Sequence, residues 1–273
     1  MSYSVTAPSN AAARAFDSIA EQYDRMFTHS AIGRAQRDAV WEVVPRTFRT
    51  GNRILELNCG TGEDAFFLSR LGMNVHACDA SENMIAVARR RQAVEAPHSA
   101  VEFELLATEE LSDLERLPQF DGVLSNFGGL NCLRDLSGFG YRLGRLVRTG
   151  GCALLCVCSR ICAWELAWFL CQGKIDRAFQ RIGGRATALL NGLAVDVHYP
   201  TVQDISSAMS PWFALRRCQG IGVTVPPSYL EDWARSHRGT LGIMRSVDRS
   251  ISGWPGFRVV GDHILLTLER TPA

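Results

Sequence analysis

Five short apolar runs, each bounded by polar or glycine-containing stretches, set the rhythm of the chain. They are Arg53–Leu57, Asn74–Cys78, Val101–Leu106, Gly122–Ser125 and Ala153–Val157, and each has the length and the aliphatic content of a buried strand. Helical spacing fills the intervals. Ser81 can N-cap a helix running to Arg91 that turns Met84, Ile85 and Ala88 toward a sheet. Upstream, 12–28 reads as one helix and 32–48 as a second, with Ala35, Ala39, Trp41 and Val43 apolar and Pro45 interrupting. Downstream, Phe213–Gly222 and His263–Glu269 are two further strands, separated by a helix from about Tyr229 to Val247. No internal repeat breaks this alternation, which predicts an α/β sheet with helices on both faces.

The most chemical stretch runs from Arg53 to Asp79. A strand ends at Glu56-Leu57, Asn58-Cys59-Gly60-Thr61-Gly62 turns, and a helix follows whose free N–H groups aim at whatever lies in the turn. Glycines at 60 and 62 let backbone approach a ligand, and Asp79, closing the second strand, can accept ribose hydroxyls. Gly60, Gly62 and Ala65 also satisfy the loose dinucleotide spacing, so an NAD-dependent oxidoreductase is the competing reading. Glu56 argues against it. A carboxylate there would repel a pyrophosphate but suits the α-ammonium of a methionine moiety. S-Adenosyl-L-methionine is therefore the expected cofactor.

At these residues the chain resembles the class I S-adenosylmethionine-dependent methyltransferases. "ILELNCGTGED" is similar to the family's first motif, "VHACDASENMIAVAR" to its second, "FDGVLSNFGGLN" to its fourth and "LVRTGGCALLCV" to the strand after it, in order over residues 12–158. "AFDSIAEQYDRMF" resembles the amino-terminal helix of the ubiquinone/menaquinone-biosynthesis type, whose members act mostly on small molecules. The resemblance implies a Rossmann-like, seven-stranded, mostly parallel sheet with an antiparallel last strand. It also implies a helical cap over residues 1–48, a methyltransferase domain over 49–273, and a lid inserted after the fifth strand at about 160–210. Tyr23, Glu56, Asn58, Gly60, Gly62, Asp79, Ser81, Met84, Thr108, Glu109, Asn126 and Phe127 are the expected cofactor-binding residues. Asn58 departs from a usual glycine, and Ala107 from an aspartate that often binds the adenine amine.

Composition narrows the partners. A chain of 273 residues, 47% hydrophobic, supports a sizeable core. A formal charge of +1 offers no broad footprint for nucleic acid, and the run Arg89-Arg90-Arg91 reads as a solvated helix end. Met1–Asn10 shows no secretory pattern, so a cytoplasmic protein with reduced thiols is expected. Cys152, Cys156, Cys158 and Cys162 cluster, but C-x-C inside a strand is poor zinc geometry, so no metal is expected. The apolar region Cys152–Leu170 holds Arg160 and Glu165 near its middle, which excludes a membrane span. Oligomeric state is left open.

Methyl transfer from a sulfonium needs chiefly an oriented acceptor and exclusion of water. A base is required only where the nucleophile carries a proton of high pKa. His198 and His263 are candidates, with His29 beside them and Tyr23 and Tyr199 as orienting phenols. Ile161, Trp164, Trp168, Cys171 and Ile175 share a helical stripe that reads either as core or as an acceptor wall, together with His198-Tyr199-Pro200 and Pro226–Tyr229. An aromatic, near-neutral chamber suits a small, largely apolar methyl acceptor. A protein of this fold that binds the sulfonium without transferring its methyl is the other reading.

Overall fold

A computed structural model describes residues 9–272, so most of the amino-terminal stretch read as lacking a secretory pattern lies outside the described residues. Among the described residues the strands are β1 Arg53–Leu57, β2 Asn74–Asp79, β3 Val101–Leu105, β4 Phe120–Ser125, β5 Val147–Cys158, β6 Arg185–Leu190, β7 Leu193–His198, β8 Phe213–Ile221 and β9 His263–Arg270. Seven of them form one sheet in the order β3-β2-β1-β4-β5-β9-β8, and β6 and β7 make a separate hairpin. β1 to β5 are parallel; β9, the last in sequence, runs antiparallel between β5 and β8.

Strand alternation divides the core into two layers. Leu55, Leu57, Val123, Leu155 and Leu266 face Leu114, Phe139, Leu143 and Met209 on one side. Ile54, Val75, Leu124, Leu154 and Leu265 face Val40, Phe66, Leu68 and Ile85 on the other. Both faces are covered, which is why the strands read as nearly continuous apolar runs. Cys152 and Cys156 pack in the second layer, and burial pushes both thiols up.

Several element boundaries differ from the sequence reading. The helix expected over 12–28 is Ser9–Asp17, then Ala20–Tyr23, then a widened turn Asp24–Thr28. Its break lets Asp17 accept both the Ser81 hydroxyl, at 2.6 Å, and the Asn83 N–H, at 2.9 Å. The helix after β2 runs past Arg91 to Glu95; Arg89 and Arg90 are exposed, as a solvated face requires, but the reading needs correction at Arg91. Arg91 bonds Glu63 at 2.8 Å and the Thr61 carbonyl at 3.1 Å and pairs with Asp24 at 3.3 Å, tying the cap to the glycine turn. Arg89 donates to the Phe103 carbonyl at 2.7 Å. The helix expected from Tyr229 to Val247 is split at His237 into Glu231–Ser236 and Arg238–Ile251.

After β5 come two short helices, Ala163–Cys171 and Ile175–Phe179, and then the β6–β7 hairpin. The hairpin leans on the cap: Leu190 packs against Ile19, Met84 and Val87, and the Asn191 amide reaches the Ser18 carbonyl at 3.4 Å. The predicted stripe on the first helix is turned the other way. Trp168 is 41% exposed and Ile175 63%, whereas Glu165 is the buried residue, held by an ion pair with Arg181, which also pairs with Asp262. Trp164 alone of the stripe packs inward, against the cluster of Ile32, Val225 and Leu241, donating to the Thr224 carbonyl at 2.7 Å.

Candidate active site

Open α/β sheets bind ligands beyond the carboxyl ends of their strands, and the described residues form a cleft at that edge. Tyr23, Asn58, Gly60, Asp79, Met84, Thr108, Glu109, Asn126 and Phe127 all line it. These are nine of the twelve residues expected to bind cofactor. The other three are not among its lining residues. Gly62 holds φ +83°, and a Cβ on it would meet the Phe103 ring at 2.7 Å. Ser81 is consumed by capping: its hydroxyl accepts the Met84 N–H at 3.1 Å and donates to Asp17. Glu56 is 2% exposed at the end of β1.

The glycine turn is held by Asp79 itself. One carboxylate oxygen accepts the Gly60 N–H at 2.8 Å and the other the Ser81 N–H at 2.9 Å, which fixes the side chain at the cleft edge with lone pairs still available. Burial raises its pKa despite those bonds. Asn58, where a glycine was the pattern, adopts φ +57°, a left-handed geometry that asparagine tolerates. Its side chain accepts from the Thr108 hydroxyl at 3.2 Å, so the departure preserves the turn and links it to the loop after β3.

The structure also gathers charged residues that the sequence reading did not single out. Asp64, in the first turn after the glycines, pairs with Arg37 and accepts from Trp41 Nε1 at 2.6 Å and from Asn126 Nδ2 at 3.1 Å. Arg37 lies 4.8 Å over the Phe127 ring. These partners are far apart in sequence, so no local spacing signals them. Beside them, Glu56 Oε2 is buried with no hydrogen-bond donor among the described residues. Desolvation, with Asp64 adding to it and Arg37 opposing, raises its pKa well above the ordinary carboxylate value. Tyr23 is likewise pushed up to about 12 by burial.

The candidate bases fall elsewhere. His263 is buried at the start of β9 and meets Phe127 edge to face at 5.5 Å, so that ring stands between it and the cleft. Burial holds its pKa below the usual value despite Asp262, which favours the neutral imidazole. His198 and Tyr199 line a different groove with Arg160 and Pro200, and the His198 carbonyl accepts from Asn131 at 2.6 Å. Among the expected bases and phenols, Tyr23 is the one that lines the cleft.

Residues 54–151 match a family model described as a methyltransferase domain. This stretch is a methyltransferase domain. A demethylmenaquinone methyltransferase of Clavibacter sepedonicus is 34% identical over 150 residues, 52% of this chain and 55% of that protein. A ubiquinone biosynthesis O-methyltransferase of Methylocella silvestris is 35% identical over 128 residues, covering 47% and 46%. The chain thus spans about half the length of the curated relatives it matches. Solved structures similar to it include the DhpI–SAH complex, with TM-score 0.60, 16% identity and coverage of 97% of this chain and 98% of that one. An S-adenosylmethionine-dependent methyltransferase from Listeria monocytogenes has TM-score 0.59, 17% identity and coverage of 87% and 97%. Those two likenesses speak to the fold: the chain has the Rossmann-like sheet with one antiparallel strand that its motifs implied.

Proposed function

We propose that the chain binds S-adenosylmethionine in this cleft and transfers its methyl group to a small, largely apolar acceptor. The observation that carries the reading is Glu56. A buried carboxylate oxygen without a donor is costly, and an ammonium beside it supplies the missing proton and charge. An NAD pyrophosphate at the same place would bring no positive charge to stabilise an ionised Glu56. Bound S-adenosylmethionine supplies an activated methyl carbon.

In this reading Asp79 holds the ribose, Asn58 and Thr108 set the wall toward the adenine, and Glu109 adds a polar contact there. Tyr23 closes the cap over the cleft and Asn126, anchored by Asp64, fixes the wall beyond β4. Phe27 and Phe127, 5.0 Å apart edge to face, dry the side toward the acceptor. The quinone-pathway names of two relatives support an apolar acceptor. We assign the described residues up to 48 to the cap and the segment at about 160–210 to the lid.

The test is label transfer. Full-length protein is incubated with methyl-labelled S-adenosylmethionine and an organic-solvent extract of cells. Label entering the apolar fraction, and lost in Glu56→Gln, supports the proposal; cofactor binding without label transfer to any fraction favours the binding-only reading.

A further inference from the structure

We propose that the helical pair Ala163–Cys171 and Ile175–Phe179 is a docking surface for an anionic lipid bilayer. The inference goes beyond the reading of the cleft and does not depend on it. The helix Ala163–Cys171 carries a single charged side chain, Glu165, and that one is buried, paired with Arg181. The outward face is left to Ala167, Trp168, Leu170 and Cys171. The following helix adds Ile175 and Phe179, 63% and 47% exposed. An ordinary surface helix puts its charges outward and its apolar stripe inward. This one does the reverse.

Charge decides the occupant. The turn between the helices holds Lys174, the only lysine of the chain, and Arg177 follows it with its guanidinium 5.9 Å from the Phe169 ring. Within residues 163–179 Asp176 is the exposed carboxylate; Arg185 and Asp196 at the hairpin neutralise each other at 2.6 Å. An apolar face with tryptophan and phenylalanine, edged by a net cation excess, matches the acyl boundary and phosphate layer of an anionic membrane. A second copy of the chain fits less well. Six apolar side chains, about half exposed, offer on the order of 500 Å². A stable pair buries about 800 Å² per partner. No helix among the described residues is long and apolar enough to cross a membrane, so the contact is peripheral.

The test is sedimentation of the full chain with phosphatidylcholine vesicles and with vesicles of equal phosphatidylcholine and phosphatidylglycerol. The expected result is pelleting with the anionic vesicles that weakens with salt and with neutral lipid. Trp168→Ser/Phe179→Ser should lower partition about tenfold or more, and Lys174→Glu/Arg177→Glu should abolish the preference for anionic lipid. Thermal unfolding of each variant establishes that it is folded, and brominated lipid should quench a tryptophan signal that Trp168→Phe removes. No pelleting with anionic vesicles overturns the proposal, as does equal pelleting by the folded Trp168→Ser/Phe179→Ser variant. A dimer dissolved by Trp168→Ser would overturn it in favour of a second copy.

Discussion

Replacing Glu56 with glutamine keeps the shape of the side chain and removes its charge. In the proposed complex the carboxylate meets an ammonium in a site where its Oε2 has no other donor. A charge-assisted hydrogen bond of that kind contributes about 1.5–3 kcal/mol, or roughly 10- to 150-fold in Kd. Burial favours the protonated acid in the free protein, so affinity for the cationic ligand should rise with pH as Glu56 ionises and then level off. Stability moves the opposite way. With the folded pKa above the unfolded one, the contribution of Glu56 is present below the unfolded value and lost as pH rises through the folded value. Glu56→Gln should therefore bind S-adenosylhomocysteine more weakly, lose the pH dependence, and melt at a higher temperature than the free wild type at neutral pH. Calorimetry across a pH series and thermal unfolding measure all three. Unchanged affinity with an unchanged pH profile would refute the reasoning.

Other expectations follow from single contacts. Asp79→Ala leaves the Gly60 and Ser81 N–H groups without their acceptor, at about 1–3 kcal/mol each; unfolding should shift to lower denaturant and ligand binding should vanish. Gly62→Ala and Gly51→Ala both place a side chain at positive φ, but only at Gly62 does the new Cβ meet neighbours, Phe103 at 2.7 Å and Ala88 at 3.3 Å. Gly62→Ala should therefore destabilise more than Gly51→Ala, by about 1–3 kcal/mol in chemical denaturation. Asp248 accepts the N–H groups of Val223, Thr224 and Val225 and the Thr224 hydroxyl. Asp248→Ala should cost about 3 kcal/mol or more, with hydrogen exchange accelerating first at 223–225.

The sheet was legible because its parallel strands are buried on both faces. Ile54-Leu55, Val123-Leu124 and Leu154-Leu155 announce themselves without any partner being known. The glycine turn and Asp79 were legible for a related reason: their roles are local, within one strand–turn–helix–strand unit. What failed to read was assembled across the chain. Arg37, Asp64 and Asn126 meet only in the fold, and Arg91, placed by spacing on a solvated helix end, reaches back to Glu63 and Asp24. In the insertion the binary pattern misleads, because Arg181 and Asp262 let a glutamate be buried and push tryptophan outward. Trp168 was therefore expected inside and lies at the surface. Reading the histidines suffered likewise, since the Phe127 ring that screens His263 comes from a loop more than a hundred residues earlier.

The account rests on a methionine-plus-adenosine ligand in the cleft lined by Tyr23, Gly60, Asp79 and Asn126. Parallel calorimetric titrations of the full-length protein with S-adenosylhomocysteine and with NADH test that most directly. The account predicts saturable binding of S-adenosylhomocysteine at one site per chain and no heat from NADH; saturable binding of NADH with none of S-adenosylhomocysteine would contradict it.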